Sequence, residues 1–135
     1  MLTAPTAPNA SLRVMCLEDN PLIVFHLEQM LEDLGHVFVG SFNSFAELKE
    51  RFEGLALDCA LIDIDLVDGR TGPDAAAWLL ELGVPSLFVT GQESIAREHQ
   101  TIVVGVVSKP VSPAALGEGL NSVACALGQR DGHLE

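Results

Sequence analysis

The chain has 135 residues, of which 48% are hydrophobic, enough for one domain with a respectable core and too few for two. Nineteen Asp and Glu against seven scattered Lys and Arg leave a formal charge of −12, so no basic stripe can track a phosphate backbone, and a nucleic-acid partner is read against. No apolar run nears the roughly 20 residues of a membrane span, and the start "MLTAPTAPNAS" lacks the basic opening and apolar segment of a signal peptide, which points to the cytoplasm and away from membranes.

Residues 1–11 read as a flexible leader. The first apolar run, "LRVMCL" (Leu12 to Leu17), predicts a strand, and Glu18 and Asp19 follow it directly. Asn20 and Pro21 have the character of a helix N-cap and first helical position. Ile23, Leu27, Met30, Leu31 and Leu34 then recur on one helical face, and Gly35 closes the helix. "HVFVGSF" predicts the second strand. Ser44 with Glu47 three residues later forms a capping-box pattern that opens a helix to about Phe52. "CALID" predicts the third strand, ended by Asp63, and "IDLVDGRTG" a loop leading to Pro73 at another helix start. That helix ends before Gly83. "PSLFVT" predicts the fourth strand, ending at Thr90, and Glu93 to His99 a short helix with little apolar periodicity. "IVVGVV" predicts the fifth strand, followed by Ser108, Lys109 and Pro110. The last helix opens at Ser112-Pro113, and Leu116, Leu120, Val123, Ala124 and Leu127 repeat the first helix's spacing, leaving 128–135 as a tail without an effector domain. Gly117 and Gly119 weaken this helix by up to ~1 kcal/mol each relative to Ala, so packing must hold it. Strand and helix alternating in this way predict an α/β fold, a parallel sheet with helices on both faces.

Cys16, Cys59 and Cys125 are widely spaced in apolar sequence and read as free buried thiols in a reducing compartment. There is no CxxC, and His26, His36, His99 and His133 show no ligand spacing. Trp78, among Ala and Leu, reads as packing, and His26 as a structural residue on a helix face.

The polar residues are placed more tellingly. In an open α/β sheet, ligands bind beyond the carboxyl ends of the strands, and here those ends carry Glu18-Asp19, Asp63, Thr90 and Lys109. Grouped carboxylates raise one another's pKa unless a cation sits among them. Oxygen donors favour a hard ion such as Mg²⁺, a carboxylate can act as a nucleophile, and a Lys and a Thr hydroxyl suit the oxygens of a transferring phosphoryl group. Together the residues read as a site that accepts a phosphoryl group onto Asp63.

"CLEDN", "LIDIDL", "LFVTG" and "VVSKPV" together resemble the receiver domain of bacterial two-component response regulators, over Leu12 to Leu127. The resemblance implies a flavodoxin-like (βα)5 doubly wound sheet with strand order 2-1-3-4-5. It implies Asp63 as phosphoacceptor, Asp19 as a direct Mg²⁺ ligand, Glu18 as one acting through water, and the backbone carbonyl of Asp65 as another ligand. Thr90 matches the switch hydroxyl and Lys109 the Lys that contacts the phosphoryl group, and a cis bond is implied before Pro110. The sequence departs from the family in three places. Val106 stands where an aromatic is usual, and the chain has no Tyr; Val67 replaces a common Pro; the spacing from Thr90 to Lys109 is short for a full fourth helix. "LFVTG" is similar to the Phe-Ala-Thr-Gly signature of stand-alone alphaproteobacterial receivers, although Gln92-Glu93 depart from its ending. That subgroup is associated with kinases of the HWE/HisKA2 type.

The implied function is a single-domain response regulator, a phosphoacceptor and not an enzyme apart from the autophosphatase activity that the resemblance allows. It takes a phosphoryl group from a sensor histidine kinase or phosphotransfer protein and signals through a downstream protein partner, as a phosphate sink, shuttle or kinase regulator. Its expected state is a monomer or weak phosphorylation-dependent dimer. Two rival readings exist. One is a receiver-shaped docking module that never takes phosphate. The other is a haloacid-dehalogenase-type phosphatase with Asp63 as nucleophile and Asp65 as general acid, which lacks a second downstream acidic pair and leaves Glu18-Asp19 without a role.

Overall fold

The backbone alternates strand and helix throughout: β1 (Arg13–Leu17), α1 (Pro21–Asp33), β2 (Val37–Phe42), α2 (Phe45–Arg51), β3 (Cys59–Ile62), α3 (Gly72–Glu81), β4 (Ser86–Thr90), α4 (Glu93–Glu98), β5 (Gly105–Ser108) and α5 (Pro113–Gly132). A computed structural model describes residues 11–132, with side chains to 128; nearly all of the expected leader and the last residues of the expected tail lie outside the described residues. All strand pairs are parallel, in the order β2-β1-β3-β4-β5.

The pleat sends alternate side chains to opposite faces, and each face has its own core. Val14, Cys16, Leu61, Leu87, Val89 and Val107 meet Leu27 and Leu31 of α1 and Leu116, Leu120 and Val123 of α5. Met15, Leu17, Ala60, Ile62 and Phe88 meet Leu48 of α2, Leu79 of α3 and Ala96 of α4. The fold is therefore the doubly wound one, with helices on both faces. Asn20 caps α1 by accepting from the Leu22 N–H at 3.0 Å, and Ser44 caps α2 by accepting from Glu47 N–H at 3.0 Å. Gly119 explains why α5 tolerates glycine: a Cβ there would lie 3.0 Å from Leu87 Cδ1, so its absence lets the helix sit close against β4.

Three expectations change. The fifth strand begins at Gly105, because residues 100–102 form a single 3₁₀ turn and Ile102 and Val103 pack on the Phe88 side of the sheet instead of pairing in it. The last helix continues to Gly132 instead of giving way to a tail at 128; its apolar stripe stops at Leu127, but no proline interrupts the backbone beyond it. Cys125 is exposed, unlike Cys16 and Cys59; two residues past buried Val123, it faces away from the core. Burial pushes the Cys59 thiol up to about 12 and raises Cys16 as well, so both are inert. Trp78 is half-buried and packs edge-on against Phe45 and Phe52, with ring centroids 5.8 and 5.1 Å away, joining α2 to α3. No helix among the described residues is long and apolar enough to cross a membrane.

Candidate functional site

Sheet register brings the strand-end residues together. Leu17 and Ile62 are partners in neighbouring strands, so Glu18 and Asp63 emerge side by side, and the Asp63 N–H donates to Leu17 O at 2.9 Å. Thr90 and Ser108 are partners at the other side, and the Lys109 N–H donates to Thr90 O at 3.0 Å. The Lys109–Pro110 bond is cis. From this position Lys109 Nζ reaches across the sheet edge, donating to Glu18 Oε1 at 2.9 Å and Asp63 Oδ2 at 3.1 Å.

This ammonium is what makes the acidic pair tenable, since a buried charge needs a partner. Glu18 is only 4% exposed. Burial raises its pKa and nearby Asp63 adds to the rise, while the bonds from Lys109 and from the Asn20 N–H oppose it. Burial works to lower the pKa of Lys109, but the two carboxylates outweigh it and the net shift is upward. Asp63 Oδ1 accepts from the Ile64 N–H at 2.8 Å. Asp19 is exposed, and oxygens of Glu18, Asp19 and Asp63 lie within 4.8 Å of one another. Clustered carboxylate oxygens with one open to solvent are donors suited to Mg²⁺, which keeps several waters and needs few protein ligands. The residues present fit that ion.

Thr90 is fully buried, and its Oγ1 accepts from the Gln92 N–H at 2.9 Å. Asp65 sends its side chain out of the carboxylate cluster, to Arg70 Nε at 3.0 Å and Gln92 Nε2 at 2.6 Å. Hydrogen bonds from Arg70 and Gln92 hold its pKa below the usual carboxylate range. Asp68 also lies apart: it accepts from the Phe45 and Ala46 N–H groups, at 3.3 and 3.1 Å, and from Thr71 Oγ1 at 2.7 Å. It places negative charge at the N-terminus of α2, where the helix dipole favours it. Val106 is 40% exposed beside an open groove of about 290 Å³ lined by Glu93, Arg97, Gln100 and Ser108. The Ser108 hydroxyl donates to the Glu93 carboxylate.

Arg70 and Gly72 were not singled out from sequence, and Gln92 only as a departure from the family signature, without its contacts to Asp65 and Arg70. A Cβ on Gly72 would lie 2.1 Å from the Asp63 carbonyl oxygen and 2.7 Å from Ile64 Cα. No other residue lets the start of α3 approach so near the end of β3. Glycine three residues after Gly69, at a helix start, was the available signal.

Residues 14–121 match the response regulator receiver domain family. The chain belongs to that family. The receiver is 32% identical over 111 residues to the phyllosphere-induced regulator PhyR of Methylorubrum extorquens, a match covering 80% of this chain and 42% of PhyR. It is 26% identical over 123 residues to the sensor protein GacS of Pseudomonas syringae, covering 84% of this chain and 14% of GacS. The chain thus spans less than half the length of either relative. The solution structure of the PhyR receiver domain from Erythrobacter litoralis matches with a TM-score of 0.75 at 27% identity, covering 84% of this chain and 89% of that one.

Proposed function

We propose that this receiver accepts one phosphoryl group on Asp63 from the phosphohistidine of a sensor kinase or phosphotransfer protein and signals by binding a protein partner. The observation that carries the reading is Lys109 Nζ held between Glu18 and Asp63 at the converging strand ends. Asp19, Asp63 and the Asp65 carbonyl are the proposed Mg²⁺ ligands, with Glu18 acting through water; the ion supplies positive charge to the phosphoryl oxygens. A carboxylate oxygen of Asp63 attacks phosphorus and the phosphorus–nitrogen bond to the donor imidazole breaks, the nitrogen keeping the electron pair. Lys109 is placed to follow the negative charge from Asp63 to a phosphoryl oxygen. The Thr90 hydroxyl, already an acceptor from Gln92, keeps its own proton to donate to another.

Output as a sink, a shuttle or a kinase regulator is equally compatible with this chemistry, as is a kinase of the HWE/HisKA2 type. A phosphatase mechanism is disfavoured by the geometry of Asp65: a general acid must reach the group it protonates, whereas this carboxylate is turned away to Arg70 and Gln92. Incubation with Mg²⁺ and acetyl phosphate, followed by intact mass measurement, should add a single phosphoryl group. Asp63→Asn should abolish it. Undiminished labelling of that variant would sink the assignment, and a partner that binds wild type and variant equally would favour the docking module.

A further inference from the structure

A ring of three polar side chains lies at the rim of the site. Gln92 Nε2 donates to Asp65 Oδ2 at 2.6 Å, Arg70 Nη2 donates to Gln92 Oε1 at 3.3 Å, and Arg70 Nε donates to Asp65 Oδ1 at 3.0 Å. Asp65 and Arg70 belong to the loop between β3 and α3, Gln92 to the loop after β4. The same Gln92 gives its backbone N–H to Thr90 Oγ1 at 2.9 Å. Its side chain is thus fastened to the opposite loop while its backbone holds the Thr90 hydroxyl.

Beyond buried Thr90, few other contacts anchor this segment: Glu93 accepts from the Ser108 hydroxyl, and Ile95 packs on the Phe88 side of the sheet. A Cβ on Gly91 would meet nothing within 4 Å, and Ala96 is the buried residue of α4, a helix of six residues. A loop with so few apolar contacts is easily displaced, and polar links then decide its resting position. The Arg70 and Asp65 side chains are 56% and 49% exposed, so the ion pair between them is weak and reversible. That suits a fastening that opens and closes, not one that fixes the loop permanently.

We infer that Asp65, Arg70 and Gln92 form a latch that holds the Thr90–Gln92 loop in its resting position, so that Thr90 can move toward a phosphoryl group on Asp63 only when the ring opens. The consequence for phosphoryl engagement rests on the proposed acceptor role of Asp63; the latch itself does not. Arg70 acts through Gln92 on Thr90 and is a positioning residue.

The test has two arms, each run on wild type, Arg70→Ala, Gln92→Ala and the double variant. The first follows amide hydrogen exchange at Gly91 and Gln92 in metal-free protein. Both single variants should speed exchange about two- to five-fold, the scale of one exposed ion pair, and the double variant should add little, because both changes open the same ring. The second titrates Mg²⁺ with beryllofluoride, a phosphoryl mimic. Opening the latch should tighten its binding by a similar factor. Wild-type exchange rates in both single variants would overturn the latch, and faster exchange with unchanged beryllofluoride affinity would overturn its hold on switching. A wild type that fails to bind beryllofluoride would instead count against the acceptor reading, leaving the exchange arm to decide the latch.

Discussion

Lys109→Met removes the cation between Glu18 and Asp63 while keeping most of the side chain's length. In the wild type the ammonium lies 2.9 Å from Glu18 and 3.1 Å from Asp63, and the Glu18 side chain is 3% exposed. Breaking a fully buried pair costs about 3–5 kcal/mol. Lys109 and Asp63 keep 21% and 12% of their side-chain surface exposed, and solvent screening reduces the figure to about 1–3 kcal/mol at neutral pH without metal. The pKa of Glu18 is already raised by burial, and losing its main opposing partner raises it further. A carboxyl with a raised folded-state pKa destabilises above that pKa, and the cost disappears as pH falls through it, because the folded state then binds the proton more tightly than the unfolded chain. The deficit of Lys109→Met should therefore shrink on acidification and should shrink when Mg²⁺ replaces the missing positive charge. Urea unfolding at neutral and mildly acidic pH, with Mg²⁺ or a chelator, measures both effects. No deficit in chelator, or a deficit insensitive to both Mg²⁺ and pH, would refute the reasoning.

Asp19→Ala should weaken Mg²⁺ binding in titration calorimetry and, by relieving repulsion, leave metal-free stability equal or higher; unchanged Mg²⁺ affinity would contradict the proposed ligand set. Gly72→Ala should cost about 1–3 kcal/mol or more by overpacking, since its new methyl would press on the Asp63 carbonyl and Ile64, and thermal unfolding reads the loss. His36 Nδ1 accepts from the Leu12 N–H at 3.1 Å and burial lowers its pKa. Its contribution is complete above the unfolded value of about 6.5 and is lost as pH falls from there through the lower folded value. His36→Asn should flatten that part of the stability profile, and parallel slopes for the two proteins would count against it.

The fold was legible because each strand reads as a short apolar run and because Asn20-Pro21, Ser44 and Ser112-Pro113 mark the starts of α1, α2 and α5. The boundary of β5 was not: Ile102 and Val103 are as apolar as the strand that follows, and an apolar run does not tell pairing in a sheet from packing in a turn against its face. Strand-end position sufficed to place Glu18, Asp19, Asp63 and Lys109 within reach of one another, because the topology rule acts on backbone alone. The contacts of Asp65, Asp68, Arg70 and Gln92 were hidden for the opposite reason. They depend on loop conformation and join residues as much as 22 to 27 positions apart, a separation with no periodic signature. Asp68 accepts from the first N–H groups of α2, a role that no sequence pattern announced. Cys125 looked buried in an apolar stretch, but its exposure follows from its angular place on α5.

The most direct measurement locates the phosphoryl group itself. Protein phosphorylated in Mg²⁺ by a phosphohistidine donor is treated with borohydride, which reduces an aspartyl phosphate to homoserine, and peptides are then sequenced by mass spectrometry. Reduction at Asp63 alone is the expected result. Homoserine at Asp65 or Asp19, a phosphoryl group retained on His26, or no modification under conditions where the donor loses its phosphoryl group to another receiver would contradict Asp63 as the acceptor.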